Sequence, residues 1–165
     1  MQPQFRQRGP TPSPCARYHV RELTGADAQA CAEFVDKLER RDLRSRFAST
    51  TLVLDALLPR ERPEGKGTAL GAFGEPGALL GVVNLEPLAD GDMEIAIVVR
   101  SDFQRRGAGY CLMSQAIALA SNGRSSRIVA YVSPENGAAN ALVRKLGFRV
   151  LTIDRYATEI VLPLH

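Results

Sequence analysis

The order of elements between Met93 and Val132 constrains the fold of this chain more than any other feature. Met93–Val99 is a β-rich run, MEIAIVV, and Arg127–Val132 is a second, RIVAYV. Between them lie a polar loop with two glycines and a helical stretch, YCLMSQAIALA, with an apolar face. A strand, a helix and a strand in succession indicate two parallel strands joined by a right-handed crossover.

The segments on either side predict strands that join this pair in antiparallel fashion. Thr68–Phe73 and Leu79–Leu85 are separated by the turn sequence GEPG and predict a hairpin. Tyr18–Thr24 at one end, and Leu151–Ile153 with Tyr156–Leu162 at the other, also read as strands. The fold class that follows is α/β (α+β), with a mixed, mostly antiparallel sheet and flanking helices.

Three further helices are predicted around the sheet. Thr24 and Asp27 form a capping box before an amphipathic stripe made of Cys31, Phe34, Val35 and Leu38. Residues 42–57 look helical, less regularly, and residues 59–67 predict a loop rich in proline and glycine. Asn136–Leu146 predicts a last short helix, whose buried stripe consists of Ala139, Leu142, Val143 and Leu146.

Charge and hydropathy argue against nucleic-acid and membrane proteins. The net charge of +3 comes from four arginines that precede Glu22, and from Glu22 onward 17 basic residues face 18 acidic ones. The body of the chain therefore lacks the basic footprint of nucleic-acid binding. No apolar run approaches the ~20 residues that span a bilayer, so we expect no membrane insertion.

The N-terminal residues and the cysteines complete the domain plan. Residues 1–16 are rich in proline and contain no acid, which predicts a disordered tail before a single domain at residues 17–165. Cys15, Cys31 and Cys111 are odd in number and far apart, and they suggest neither a disulfide framework nor a zinc site. We expect no metal, a reducing environment and a cytoplasmic location.

The loop between the first β-rich run and the following helix has the features of a phosphate site. A helix start offers unpaired amides and a positive dipole end, and Arg105 and Arg106 add charge. The glycine spacing matches neither of the usual nucleotide loops. Taken alone, the loop could equally be a glycine turn with solvated arginines.

Two motifs together resemble the GCN5-related N-acetyltransferase (GNAT) superfamily. The first, Q/R-x-x-G-x-G/A after a strand, is matched by Gln104–Gly109. The second, N-x-x-A-x-x-L before K-L-G-F, is matched by Asn136, Ala139, Leu142, Lys145, Leu146, Gly147 and Phe148. The resemblance implies an acetyltransferase fold with a splayed central parallel pair and an acetyl-CoA donor.

The resemblance also implies the residues that hold the donor. Backbone amides of the loop and the helix start would cradle its pyrophosphate: Arg105, Arg106, Gly107, Ala108, Gly109 and Tyr110. Gln104, the first residue of the motif, also belongs to the implied donor site. The main chain of Ile97, Val98 and Val99 would pair with the pantetheine arm. Asn136 would hydrogen-bond the same arm, and it can also serve as a helix N-cap.

Direct transfer to an amine calls for a general base, because an alkylamine is protonated at neutral pH. Glu94, on the strand that enters the loop, is our choice, and Glu86 and Glu135 are weaker candidates. Many family members place a tyrosine seven residues after the motif asparagine to protonate the departing thiolate. That position is Val143 here, so the chain departs from the family pattern.

The motifs do not specify which amine accepts the acetyl group. The absent tyrosine, the glutamate of MEIAIVV and the form of the second motif resemble bacterial protein lysine acetyltransferases that modify acyl-CoA synthetases. A protein lysine is therefore the expected acceptor, with a small amine, or a catalytically silent acyl-CoA-binding module, as alternatives. The chain is expected to be a monomer or a homodimer.

Overall fold

A computed structural model describes residues 14–42, 57–59, 61–62, 65–153, 155 and 157–164. The described helices are α1 (Ala28–Asp36), α2 (Ala108–Ser121) and α3 (Gly137–Lys145). The strands are β1 (His19–Glu22), β2 (Glu61–Arg62), β3 (Gly65–Lys66), β4 (Thr68–Gly74), β5 (Ala78–Pro87), β6 (Met93–Val99), β7 (Arg127–Val132), β8 (Arg149–Ile153) and β9 (Thr158–Pro163).

Seven of these strands form one mixed sheet, as the sequence predicts. Their order is β1-β4-β5-β6-β7-β9-β8, and β6 and β7 are parallel while the other neighbours are antiparallel. The predicted hairpin is β4 and β5, and α2 is the crossover between β6 and β7.

Side chains alternate between the two faces of the sheet, so each face carries apolar side chains, and helices cover both faces. Buried residues of α2 and α3 pack against one face, in a core that contains Val83, Leu85 and Ile95. Buried residues of α1 pack against the other face, together with Val82 and Val98. Adjacent residues of β5, Val82 and Val83, thus belong to different cores, which fixes the register of the strand.

The capping box predicted before α1 is present. The Thr24 hydroxyl accepts a hydrogen bond from the Ala26 amide, and the Asp27 carboxylate accepts one from the Thr24 amide. The box opens a single 3₁₀ turn, Gly25–Asp27, from which α1 continues. Asp27 also receives two hydrogen bonds from Arg21 on β1, so this corner joins the first strand to the first helix.

The predicted boundaries need two corrections. Pro14–Arg17 form a 3₁₀ turn, so the expected disordered tail extends at least three residues too far; residues 1–13 lie outside the described residues. The predicted loop at 59–67 contains the short antiparallel ribbon of β2 and β3. Most of the helix expected at 42–57 also lies outside the described residues.

Candidate active site

The parallel strands β6 and β7 separate soon after they begin. Their pairing comprises Met93 with Ile128 and Glu94 with Val129. By contrast, β6 stays paired with β5 along its whole length, and β7 stays paired with β9. The sheet therefore splits between β6 and β7 beyond Glu94, and we call this opening the wedge.

An ion pair holds the two strands together at the closed end of the wedge. Arg127, the first residue of β7, donates from Nε to the carboxylate of Asp92, just before β6. The Asp92 side chain is 7% exposed, and Asp90 lies 3.7 Å from the same guanidinium. The Asp92 carboxylate is largely buried and accepts a hydrogen bond from a charged donor. This ion pair therefore holds the starts of β6 and β7 together more firmly than an exposed surface pair would.

The wall of the wedge formed by β6 presents backbone groups at alternate residues. The Arg100 amide donates to the Leu80 carbonyl on β5 at 3.0 Å. Peptide groups alternate in direction along a strand, so those of Val98 also point towards β5, and those of Ile97 and Val99 point into the wedge. Of the three residues predicted to pair with the pantetheine arm, the structure turns two towards the opening, while the Val98 side chain belongs to the core beneath α1.

The loop after β6 is held in an unusual conformation. Arg105 has φ 57° and Gly107 has φ 97°, both in the left-handed region. The Gln104 side chain donates to the Val99 carbonyl at 2.9 Å and to the Asp42 carboxylate at 3.0 Å. These bonds fold the loop back over the end of β6.

Asp42 anchors this loop, a role that no sequence pattern indicates. Its carboxylate is buried, with 1% of the residue exposed, and it accepts hydrogen bonds from the Ser101 hydroxyl at 2.6 Å and the Ser101 amide at 3.3 Å. A buried carboxylate requires several donors, and the loop supplies them. Asp42 lies 59 residues before Ser101, so no local pattern could have revealed the pair.

Helix α2 begins at the end of this loop without a side-chain cap. Its N-cap is Gly107, and Gly107 supplies no capping side chain. The first amide that bonds back to the N-cap is that of Cys111, which donates to the Gly107 carbonyl. The amides of the first turn, at Ala108, Gly109 and Tyr110, are therefore left for another acceptor, and the exposed Arg105 and Arg106 lie beside them.

Asn136 lies at the start of α3 and serves as its N-cap. Its Oδ1 accepts a hydrogen bond from the Ala139 amide at 3.0 Å, while its Nδ2 makes no hydrogen bond to any part of the chain that the structure describes. Asn140, which the sequence analysis overlooked, donates to the carbonyls of Asn136 and Ser133 and shapes the turn before the helix. The cap and a remaining donor thus coexist in one side chain.

The two leading candidates for a general base are directly opposite each other on neighbouring strands. Glu86 on β5 pairs with Glu94 on β6, so both side chains are on the α1 face of the sheet. The Glu86 carboxylate leans away, over Gly67, where a Cβ would come within 2.6 Å of its Oε2. Glu94 is partly exposed and lies at the last paired position before the wedge opens. Glu135, the third candidate, is exposed in the turn before α3.

The expectation of three unpaired cysteines was wrong. Cys15 forms a disulfide with Cys111, in the first turn of α2, and Cys31 is a free, buried thiol. The Tyr18 hydroxyl adds a second link by donating to the Arg106 carbonyl at 2.8 Å. The N-terminal turn is thus tied to the loop and to the start of α2. Because two of the cysteines are paired, they no longer indicate a reducing compartment.

Val143 is buried in the core between α2, α3 and the sheet, with 7% of the residue exposed. It contributes packing and offers no proton, as the sequence indicates.

Among the described residues, no group of three or more His, Cys, Asp or Glu side chains could hold a metal ion. No described helix is both long and apolar enough to cross a membrane.

The sequence profile of the Acetyltransferase (GNAT) family matches residues 32–148, which include the wedge, the loop and both motifs. The chain belongs to this family. It is accordingly a GNAT acetyltransferase, and its mixed sheet with one parallel pair is the sheet of that fold. A search of curated protein sequences found no match.

Solved structures share the fold at low sequence identity. The GNAT domain of S. lividans PAT is 19% identical, with a TM-score of 0.77 over 88% of this chain and 90% of that one. The Salmonella typhimurium acetyltransferase yncA, solved with acetyl-CoA, is 19% identical, with a TM-score of 0.68 over 90% and 94%. Spermidine N-acetyltransferase from Vibrio cholerae, solved with CoA and spermine, is 17% identical, with a TM-score of 0.70 over 90% and 96%.

Proposed function

We propose that this GNAT acetyltransferase moves an acetyl group from acetyl-CoA directly to an amine, that the amine is a protein lysine side chain, and that Glu94 is the general base. The observation that carries the proposal is the wedge between β6 and β7, which opens beside an uncapped helix start. A long flexible ligand arm fits between strands, and an anion fits at a helix N-terminus.

The residues present suit the donor's diphosphate. The first-turn amides of α2 lack a side-chain cap, and two exposed arginines stand beside them. Acetyl-CoA supplies an activated thioester when bound. The loop contributes its fixed shape, because the hydrogen bonds of the Gln104 side chain to Asp42 and to the Val99 carbonyl hold it in place.

The walls of the wedge suit the arm that carries the thioester. Backbone groups of Ile97 and Val99 face the opening, and Asn136 keeps a donor at the start of α3. One of these acceptors, the Val99 carbonyl, already receives the Gln104 side chain, which leaves Ile97 as the main strand contact. Donors aimed at the thioester carbonyl from fixed positions would stabilise developing negative charge there.

Glu94 addresses the main energetic obstacle of the reaction. A lysine amine with pKa ~10.4 needs about 4.6 kcal/mol to expose its lone pair at pH 7. Glu94 stands where the wedge begins to open, on the face that α2 and α3 do not cover. Its carboxylate would take the amine proton, directly or through one water. Val143 offers no acid, so water would protonate the departing sulfur or the thiolate would leave unassisted.

A small polyamine is the second candidate acceptor. Among the neighbours of known fold, one is a spermidine acetyltransferase solved with spermine and another is the domain of S. lividans PAT. Both acceptor types present a primary alkylamine, so the proposed chemistry is the same for each. A mass-spectrometric search for label transferred from labelled acetyl-CoA to a cell extract would separate protein from small-molecule products.

Replacing Glu94 by Gln tests the catalytic assignment. We expect turnover with a lysine peptide to fall by about a hundredfold or more, because general bases contribute roughly 10²–10⁴. Affinity for CoA, measured by calorimetry, should not change. Glu33→Gln is the matched control, since this carboxylate is exposed on α1, outside the wedge. Unchanged turnover in Glu94→Gln would refute the base, and CoA binding without turnover on any amine would favour a silent acyl-CoA-binding module.

A further inference from the structure

Tyr131 stands out as a large, exposed aromatic side chain in the middle of the sheet. It lies on β7, one of the central strands, and yet 55% of the residue is exposed. Its neighbours in the strand, Ala130 and Val132, are buried in the core beneath α2 and α3. Tyr131 therefore points to the opposite face of the sheet, which is the face of Glu94.

The register of the sheet places Tyr131 on the β7 wall of the wedge, just beyond the last paired residue. Glu94 pairs with Val129, so Tyr131 lies two residues, or about 7 Å, further along the opposite wall. A tyrosine side chain spans a comparable distance, so its ring is within reach of an amine bound in front of Glu94.

The surroundings of the ring are acidic. Glu159 on β9 is directly opposite Tyr131, with its side chain on the same face. Partial burial raises the pKa of the Tyr131 hydroxyl, and the negative charges of Glu159, Glu94 and Asp90 raise it further. The hydroxyl thus stays neutral at physiological pH, and a cation placed here would meet a favourable field.

Two described basic residues on this face, Arg127 and Arg149, are placed away from the ring. Arg127, which shares the face of Tyr131, is held by Asp92 and Asp90 at the closed end of the wedge. Arg149 on β8 is opposite Val161, a residue that pairs with Val129 in turn. It therefore lies two strands from Val129 and further from the wedge than Glu159.

We propose that Tyr131, with Glu159 opposite it, recognises the acceptor and restricts it to alkylamines that arrive as cations. This inference rests on the acetyl transfer proposed above and adds a substrate class to it. The ring face would contact the ammonium group and its methylene chain, as aromatic rings do with alkylammonium ligands. Arylamines, which are uncharged at neutral pH, would gain no such contact.

The test measures acceptor KM and kcat for Tyr131→Ala, Tyr131→Phe and Glu159→Gln with a lysine peptide, spermidine and an arylamine. We expect Tyr131→Ala to raise KM for both cationic acceptors by about threefold to thirtyfold. It should leave KM for acetyl-CoA, and the weak activity on the arylamine, unchanged. Tyr131→Phe keeps the ring and should behave like wild type, and Glu159→Gln should raise the same KM values. The control Leu119→Ala alters an apolar side chain of similar exposure, 46%, on α2.

Equilibrium binding separates failure of this inference from failure of the proposed function. Calorimetry of the lysine peptide and of spermidine with CoA-loaded protein reports recognition even if no transfer occurs. Weaker binding to Tyr131→Ala than to wild type, without any turnover, would support recognition and refute the transferase proposal. Unchanged acceptor affinity in Tyr131→Ala would overturn the inference. A loss of kcat in Tyr131→Phe with unchanged KM would also overturn it, because the hydroxyl would then act in the chemistry itself.

Discussion

The disulfide between Cys15 and Cys111 should contribute a large part of the stability of this protein. It closes a loop with a sequence separation of 96 residues. In the chain-entropy description, a loop of that length restricts the unfolded chain by about 4.7 kcal/mol at 25 °C. At roughly 2–4 °C per kcal/mol for a protein of this size, Cys15→Ser should lower Tm by roughly 9–19 °C. Cys15 is the position to change, because it is partly exposed while Cys111 is fully buried, so the serine leaves no buried hydroxyl.

Thermal unfolding followed by circular dichroism, with and without a dithiol reductant, measures this effect. Reductant should lower the Tm of the wild type to that of Cys15→Ser and leave the variant unchanged. A thiol titration of denatured, non-reduced protein should find one thiol, that of Cys31, because the other two cysteines are joined. Three titratable thiols, or a Tm that responds neither to the substitution nor to reductant, would refute the reasoning.

Two more changes probe the loop and the first corner of the fold. Gly107→Ala places a side chain at φ 97°, and the strain of about 1–2 kcal/mol should lower Tm by several degrees and weaken CoA binding. The control is Gly25→Ala, where the added Cβ would have no heavy atom within 4 Å, and it should change neither Tm nor CoA binding. The hydrogen bonds of Arg21, then of the Thr24 amide, lower the pKa of Asp27 to about 2 from 3.8. The stability that Asp27 adds is therefore present above about pH 4 and lost as pH falls towards 2, and a urea-denaturation series over this range should show a shallower loss for Asp27→Asn. Equal pH slopes in the two proteins would contradict the ion pair.

Contacts from two distant parts of the chain hold the loop in its conformation. Asp42 binds it from one side through Ser101 and Gln104, and Tyr18 binds the Arg106 carbonyl from the other. A left-handed arginine and an uncapped helix start are costly conformations, and they persist only where neighbouring contacts hold them. The loop is therefore preorganised by residues distant in sequence.

The sequence alone was sufficient for the parts of this protein that depend on local pattern. Periodicity located the β4–β5 hairpin, the strands β6 and β7 and the helix between them, and the right-handed crossover rule made the pair parallel. The two motifs identified the family, because each specifies residue types that the backbone conformation requires and each lies where a strand is followed by a helix. These features rest on contacts between residues close in the chain.

The tertiary structure decided what depends on residues far apart in the chain. Composition and spacing could not pair Cys15 with Cys111, bring Asp42 to Ser101, or set Tyr131 opposite Glu159. Nor could they show how early β6 and β7 separate, because strand pairing between residues far apart in the chain is not a local property. Local preferences act within a few residues, whereas such contacts exist only once the whole sheet has fixed its register and its faces.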